Sequence, residues 1–213
     1  VVTGDTKVVE QGAADGCYLT TTGFGFAPKR IRLDAADVRG GDVIVVSGTV
    51  GDHGVAVMMA RGDLALAAEV PSDTAALHGL VADLLEAVPG TRWLRDPTRG
   101  GVASTCNELA AACGLGVELI EAALPVRPAV SGACELLGLD PLYIANEGKL
   151  VAVVPAEAAD DAVAAMRARP EGADAEVVGA VTDDHPGLVV VQTPFGGTRI
   201  VDMLVGDPLP RIC

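Results

Sequence analysis

From residue 43 to residue 192, apolar segments with the spacing of strands alternate with segments that have the spacing of helices. The predicted strands lie at residues 43–47, 93–94, 116–120, 150–154, 177–181 and 188–192, and the predicted helices at residues 51–61, 75–88, 101–113, 129–137 and 157–167. This alternation, which mixes crossover connections with strands that are neighbours in the chain, predicts an α+β fold.

Three parts are predicted along the chain. Residues 1–30 hold two strand-like segments, 8–9 and 17–22, and resemble the end of a larger unit. A charged, turn-rich stretch at residues 29–42 separates them from the main domain, predicted at residues 41–192, and residues 193–213 form a C-terminal segment. Because the chain begins at Val1 with no methionine, we expect that coding sequence precedes it.

Composition argues against several classes of protein. With 15 Lys and Arg against 29 Asp and Glu, the formal net charge is −14, so the chain repels nucleic acid and anionic membrane surfaces. No apolar run approaches the roughly 20 residues that span a bilayer. The five cysteines show no Cys-x-x-Cys spacing, which argues against a disulfide framework or a zinc site and favours a reducing cytoplasm.

A glycine-containing motif, Asp-Pro-Thr-Arg-Gly-Gly at residues 96–101, stands between a predicted strand and a predicted helix. Glycines allow the backbone to approach a ligand closely, and the free amides at the start of a helix favour an anion. Asp96 is therefore a candidate metal ligand and Arg99 a candidate phosphate ligand. The alternative is an ordinary turn in which Asp96 or Thr98 caps the helix.

Two further motifs lie beside predicted strands and helices. In Asn-Glu-Gly-Lys at residues 146–149, Glu147 is a candidate general base, because a partly desolvated carboxylate can accept a proton near neutral pH. The alternative is a surface hairpin turn, which these residue types also suit. In Gly-Asp-His-Gly at residues 51–54, Asp52 is predicted to cap the following helix, and His53 alone does not make a metal site.

A cation stands at the start of the first strand-like segment. Lys7, in Gly-Asp-Thr-Lys at residues 4–7, can neutralise a phosphate or pair with a carboxylate. The alternative is an ordinary surface lysine at the start of a strand.

The chain ends on Cys213. Cys106, Cys113 and Cys134 lie in predicted helices and are expected to be small, buried side chains. A terminal residue is hard to bury, because its carboxylate stays solvated, and two prolines stiffen this tail. Cys213 is therefore a candidate nucleophilic thiol that carries a group to a site. The alternative is a last residue with no role.

Taken together, these motifs, with Phe-Gly-Gly-Thr-Arg-Ile-Val-Asp at residues 195–202 and the terminal Pro-Arg-Ile-Cys, resemble the HypE family of nickel–iron hydrogenase maturation enzymes. Asp-Pro-Thr-x-Gly-Gly is shared widely in the superfamily of aminoimidazole ribonucleotide (AIR) synthetase, whereas the terminal motif is specific to HypE. The resemblance implies an AIR synthase-like C-terminal α/β domain, preceded at residues 1–30 by the last strands of an N-terminal ATP-binding domain.

The resemblance also implies a reaction and a set of site residues. The carbamoyltransferase HypF loads a carbamoyl group onto Cys213, and ATP-dependent dehydration converts this group to a thiocyanate, which supplies cyanide to iron on the HypC–HypD complex. Glu147 is implied as the base and Lys7 as the residue that positions the thiocarbamate. The implied ATP ligands, in a homodimer, are Asp5, Asp96, Thr98, Arg99, Gly100, Gly101 and Asn146, with Asp96 holding Mg²⁺.

Two alternative functions stay open. The first is another ATP-dependent enzyme of the same superfamily, AIR synthetase or selenophosphate synthetase, against which the terminal Cys213 argues. The second is a non-catalytic thiol carrier or scaffold, against which the phosphate-type loop at residues 96–101 argues.

Overall fold

The computed structural model describes residues 2–26, 28–62, 64 and 69–204. Its strands are β1 (Val43–Val46), β2 (Trp93–Arg95), β3 (Gly116–Ile120), β4 (Val151–Val154), β5 (Glu176–Thr182), β6 (Val189–Gln192) and β7 (Thr198–Ile200). Its α-helices are α1 (Asp52–Arg61), α2 (His78–Ala87), α3 (Gly101–Cys113), α4 (Pro128–Leu137) and α5 (Ala159–Arg167). The predicted α+β class is confirmed.

The seven strands form one mixed sheet in the order β2-β4-β1-β5-β3-β6-β7. Strands β3 and β6 pair in parallel, and the other neighbouring pairs are antiparallel. Val151, the first residue of β4, lies opposite Val46 of β1 on one side and opposite Arg95 of β2 on the other. The ends of β1 and β2 and the start of β4 therefore share one edge of the sheet.

The central strands are apolar throughout because both faces of the sheet are covered there. In β1, Ile44 and Val46 belong to the core cluster that includes Leu109 of α3. Val45, which points to the opposite face, belongs to the cluster that includes Leu84 of α2 and Met166 of α5. A third cluster lies between α1 and α4, away from the central sheet layers.

The N-terminal part differs from the prediction. No strand is present at residues 2–26, where almost every residue is exposed, so the predicted strands at 8–9 and 17–22 are wrong for this structure. A strand needs a neighbour to receive its backbone hydrogen bonds, and within residues 2–26 and 28–31 we find only turn-type backbone bonds, such as that from Ala13 to Glu10.

The sheet extends beyond residue 192, where the sequence places the end of the main domain. After β6, Gly196 adopts a positive φ of 81° in a tight turn, and β7 returns antiparallel to β6. Arg199 on β7 donates to the carboxylate of Asp140 at 2.6 Å and also contacts Glu121 at 3.4 Å. Residues 193–197 form a hairpin turn, and Arg199 joins this edge strand to the domain.

Helix α2 begins at His78, three residues later than the predicted start at residue 75. Residues 69–77 form neither helix nor strand before it. None of the helices in the described part of the chain is long and apolar enough to cross a membrane.

Candidate active site

The side chain of Asn146 joins three loops at the edge of the sheet where β1 and β2 end. Asn146 is fully buried. Its Oδ1 atom accepts a hydrogen bond of 2.8 Å from the backbone nitrogen of Gly51, and its Nδ2 atom donates to the carbonyls of Pro97 and Ile144, each at 3.0 Å. The motifs at residues 51–54, 96–101 and 146–149, which are far apart in sequence, therefore meet at one place.

The loop at residues 146–149 is not the surface hairpin turn that was the alternative prediction. Asn146, Gly148 and Lys149 are all buried. At Gly148, a Cβ atom would stand 1.7 Å from the carbonyl oxygen of Asp73, so only glycine allows the segment at residues 71–75 to lie directly on this loop. The surface-turn alternative is therefore wrong.

Glu147 lies at the centre of this loop, and its backbone nitrogen donates to Oδ1 of Asp73 at 3.0 Å. Its side-chain Oε1 atom is buried and has no hydrogen-bond partner among the described residues. A buried carboxylate oxygen without a donor is unusual in a folded protein and needs a functional or solvent explanation. A carboxylate oxygen without a donor retains the ability to accept a proton.

A polar cavity of about 250 Å³ opens beside the same loop. Its walls include Thr49, Arg127, Lys149 and Glu171 as well as Asp73. The Lys149 side chain is 10% exposed, and its ammonium lies 3.8 Å from Oδ2 of Asp73, whose side chain is 1% exposed. Both Oδ2 of Asp73 and Oε2 of Glu171 are buried without a hydrogen-bond partner in the described part of the chain.

Asp52 contacts its neighbours differently from the prediction. The N-cap of α1 is Gly51, in a left-handed conformation with φ of 86°, and Asp52 is the first helical residue, so the predicted Asp52 cap is wrong. Instead, Oδ2 of the buried Asp52 carboxylate accepts from the Thr49 hydroxyl at 2.5 Å and from Nε of Arg127 at 3.0 Å. His53 contacts Ser72 through Nδ1 at 2.9 Å.

The loop at residues 96–101 does not use a side-chain cap. The N-cap of α3 is Gly100, with φ of 73° and no side-chain hydrogen bond, so the alternative in which Asp96 or Thr98 caps the helix is wrong. Gly101 also has a positive φ, and a Cβ atom there would stand 2.4 Å from the carbonyl of Leu142. The glycines therefore let the loop pack against its neighbour, and they leave the amides of α3 without a side-chain cap.

The fit of this loop to a nucleotide can be assessed from the exposure of its side chains. Asp96 and Arg99 are exposed and Thr98 is half-buried, beside the uncapped start of α3. This combination suits a phosphate group, and a single carboxylate suits Mg²⁺ that takes its other ligands from phosphate and water. No group of three or more His, Cys, Asp or Glu side chains is placed to hold a metal among the residues that the structure describes.

The remaining predicted site residues are not brought to this place. Asp5 accepts a hydrogen bond from the amide of Thr6, and it lies with Lys7 in the exposed N-terminal segment. Cys213 lies outside the described residues. The structure thus brings together Glu147, Asn146 and the loop at residues 96–101.

Sequence reasoning missed Asp73 and gave no role to Lys149, although Lys149 stands in a motif that was considered. Asp73 contacts a loop 74 positions away in the chain, and no local pattern reveals such a pairing. The signal that was present is the polar run Ser-Asp-Thr at residues 72–74, directly after a proline and before a helix.

Of the three cysteines predicted to be buried, two are buried, and Cys113 is only half-buried. Cys106 and Cys134 are buried, and burial raises the pKa of the Cys106 thiol to about 12 and that of the Cys134 thiol to about 11. Nearby acidic side chains, first Asp140, add to the effect at Cys134. Both thiols therefore stay protonated and unreactive at neutral pH.

Comparison with known proteins agrees with this fold. The family model of AIR synthase related proteins, C-terminal domain, matches residues 39–191. The chain belongs to this family. Over 213 residues it is 55% identical to the carbamoyl dehydratase HypE of Azotobacter vinelandii, and the match covers 100% of this chain and 62% of that protein. The resemblance to HypE predicted from the motifs is confirmed.

Solved HypE structures have the same fold. The crystal structure of Escherichia coli HypE matches with a TM-score of 0.84 at 46% identity, over 89% of this chain and 58% of that chain. A HypE in complex with ATP matches with a TM-score of 0.80 at 43% identity, over 85% and 55% of the two chains. A HypE–HypF complex matches with a TM-score of 0.76 at 42% identity, over 80% and 55%. The chain spans 62% of the length of the Azotobacter relative.

Proposed function

We propose that this AIR synthase-like chain supports the ATP-dependent dehydration of a carbamoyl group on Cys213 to a thiocyanate. The observation that carries the proposal is the buried Oε1 atom of Glu147, which has no partner among the described residues and lies on a loop that Asn146 joins to residues 96–101. The chain's relatives support it, because they include proteins named carbamoyl dehydratase HypE.

The chemistry requires a leaving group and a base. A thiocarbamate, S–C(=O)–NH₂, loses its oxygen and both nitrogen-bound protons when it becomes S–C≡N, and oxide is a poor leaving group. When bound, ATP supplies a phosphoryl group to that oxygen, which then departs as phosphate. One N–H proton passes to water as the oxygen takes the phosphoryl group and ADP is released. Glu147 accepts the second N–H proton as phosphate departs and the C≡N bond forms, because its Oε1 atom has no partner among the described residues.

The nucleotide is assigned to the loop at residues 96–101. Arg99 is the cation for its phosphates, Asp96 the carboxylate for Mg²⁺, and Thr98 and the backbone of Gly100 and Gly101 complete the loop. The exposure of Arg99 and the uncapped start of α3 support this assignment. The solved HypE in complex with ATP is a structural neighbour at 43% identity, which also supports it.

Asn146 holds the site together. Both donors of its side-chain amide are engaged by the carbonyls of Pro97 and Ile144. We therefore assign it the role of fixing the distance between the nucleotide loop and Glu147, because a fully buried side chain with both amide donors engaged has no donor for the nucleotide contact that the resemblance implies.

Lys7 and Asp5 belong to the proposal through the resemblance alone. Lys7 is assigned to the thiocarbamate and Asp5 to the nucleotide, which requires that the exposed N-terminal segment reach the loop of Glu147. Residues 2–12 are all exposed, so Lys7 and Asp5 are accessible to a ligand.

The partners are proposed from the resemblance to HypE. A carbamoyltransferase of the HypF type loads Cys213, and the solved HypE–HypF complex, a neighbour at 42% identity, supports this partner. The thiocyanate then delivers cyanide to iron on a HypC–HypD complex, and the enzyme acts as a homodimer.

Mass spectrometry of the intact protein tests the dehydration directly. This chain, completed to the length of its curated relatives and here called the extended protein, is incubated with the transferase and carbamoyl phosphate. We expect a carbamoyl adduct that loses the mass of one water when ATP is added. A Cys213→Ser variant controls for the attachment site and is expected to carry no adduct. An adduct of unchanged mass in the presence of ATP would refute the proposal.

A further inference from the structure

Asp73 contacts the loop at residues 146–149 on both sides of Gly148. Before the glycine, Oδ1 of Asp73 accepts from the backbone nitrogen of Glu147 at 3.0 Å. After it, Oδ2 lies 3.8 Å from the ammonium of Lys149. Between these contacts, the backbone of Asp73 lies so close to Gly148 that a Cβ atom would overlap its carbonyl oxygen. One residue therefore fixes the loop at three successive positions.

The segment that carries Asp73 is itself anchored to the site. The hydroxyl of Ser72 lies 2.9 Å from Nδ1 of His53 at the start of α1 and 2.8 Å from the hydroxyl of Thr74. The amide of Thr74 donates to the same Ser72 oxygen at 3.2 Å. This small network lies on either side of Asp73 in sequence and limits the directions its carboxylate can take.

The contact from Asp73 to Glu147 is well shielded from water. The Asp73 side chain is 1% exposed, so its hydrogen bond to a backbone amide is stronger than it would be at the surface. This bond engages the amide of Glu147 rather than the carboxylate. It therefore sets where the Glu147 side chain leaves the backbone, while its Oε1 atom stays without a partner among the described residues.

We propose that Asp73 is a positioning residue for the dehydration: it holds the backbone of Glu147 so that the Glu147 carboxylate faces the thiocarbamate. This inference rests on the proposed function of Glu147 as the base. Lys149 neutralises the charge of Asp73 within the cavity, so that a buried carboxylate can serve as this anchor. Removing the anchor lets the loop move, and a displacement of about 1 Å at a reacting group can lower a rate about 100-fold.

Three substitutions separate the position of the anchor from its charge. Asp73→Asn keeps an oxygen in reach of the Glu147 amide and loses the charge. Asp73→Glu keeps the charge near Lys149 and moves the carboxylate by one methylene, and Asp73→Ala loses both. In the extended protein, we expect the dehydration rate of the loaded Cys213 to fall about 10- to 100-fold for Ala and Glu and to stay within about threefold for Asn.

Loading of Cys213 by the transferase is the internal control, because it does not require Glu147. We expect all three variants to be loaded at the wild-type rate. A wild-type dehydration rate in Asp73→Ala would overturn the positioning role. So would an equal fall in the dehydration rate in Asp73→Asn and Asp73→Glu, or a fall in the loading rate that parallels the fall in the dehydration rate.

Hydrogen–deuterium exchange tests the contact separately from the reaction and without the longer protein. In this chain, we expect the amide of Glu147 to exchange at least about tenfold faster in Asp73→Ala than in wild type or Asp73→Asn, because only Ala lacks the acceptor. Equal protection of the Glu147 amide in wild type, Asp73→Ala and Asp73→Asn would overturn the inference. If the wild-type adduct loses no water while the exchange result holds, the proposed function fails and the structural contact stands.

Discussion

The backbone nitrogen of Gly51 lies 2.8 Å from Oδ1 of Asn146, although 95 residues separate them in the chain. This bond connects the start of α1 to the loop that carries Glu147. Together with the bond from Asn146 to Pro97, it places a candidate base, a candidate phosphate loop and a polar cavity at one edge of the sheet. The geometry of the site therefore depends on one buried amide side chain.

Replacing Asn146 tests this dependence. Asn146→Ala leaves the amide of Gly51 and the carbonyl of Ile144 without the side-chain partner, while the Pro97 carbonyl keeps the bond from the backbone nitrogen of residue 146. Each buried group left unpaired costs about 1–3 kcal/mol. We expect a lower free energy of unfolding in urea. Asn107→Ala is the matched control, because Asn107 also donates to two carbonyls but is only half-buried, and its cost should be smaller. An unfolding free energy equal to that of wild type would contradict the account.

A methyl group at Gly148 should be poorly tolerated. In Gly148→Ala, the Cβ atom would stand 1.7 Å from the backbone oxygen of Asp73, so the segment at residues 71–75 must move. We expect a loss of about 1–3 kcal/mol in unfolding free energy. Gly132→Ala in α4 is the control, because no atom lies within 4 Å of its Cβ position, and it should stabilise the helix by about 0.5–1 kcal/mol. An equal change in unfolding free energy for the two variants would show that the segment at residues 71–75 is not packed against Gly148.

The buried thiol of Cys106 should make stability depend on alkaline pH. Burial raises its pKa from 9.0 to about 12, so between these values the folded protein keeps a proton that the unfolded chain releases. The contribution is fully present below pH 9 and is lost as the pH rises towards about 12, by at most about 1.4 kcal/mol per pH unit.

Urea unfolding at pH values on both sides of 9 measures this effect. Cys106→Ala should lower stability at every pH and show a weaker decline above pH 9, since one source of the dependence is gone. The Cys134 thiol, with a pKa raised to about 11, contributes in the same direction and remains in the variant. A decline as steep as that of wild type would contradict the assignment to Cys106.

Arg99 should contribute to nucleotide affinity in the extended protein. Arg99→Ala removes an exposed cation beside the uncapped start of α3, and loss of a charge-assisted contact of about 1.5–3 kcal/mol corresponds to roughly a 10- to 150-fold higher Kd for ATP in calorimetry. Arg95→Ala is the control, because Arg95 is engaged with Glu108 at 2.9 Å. If both variants bind ATP equally, Arg99 is not a phosphate ligand.

The sequence predicted the central elements well because their signals are local. Strand β1 and helix α3 carry apolar residues in the pattern of a buried strand and of a helix, so their spans could be predicted from the spacing of those residues alone. Strand β7 was missed because it is only three residues long and includes a charged arginine, and it forms by pairing with β6.

The motifs of the site could be predicted from the sequence, but the hydrogen bonds that join them could not. Glu147 and the loop at residues 96–101 were found because glycine beside a charged side chain is a recognisable local pattern. The position of Glu147 depends on Asp73, 74 positions earlier, and on Asn146, whose side chain bonds to Gly51 and Pro97 in loops elsewhere. Such long-range hydrogen bonds leave no periodic signal in a single sequence.

The Glu147→Gln variant tests the central claim, that Glu147 is the base of the dehydration. The amide keeps the size of the side chain and removes its ability to accept the proton, so we expect the extended protein to be loaded normally on Cys213 and to dehydrate its adduct about 10²- to 10⁴-fold more slowly. The exposed Glu157 supplies the matched control, Glu157→Gln, which should dehydrate like wild type. In intact-mass spectra taken after ATP is added, the account predicts that Glu147→Gln retains the full carbamoyl mass. Loss of one water at the wild-type rate would contradict it.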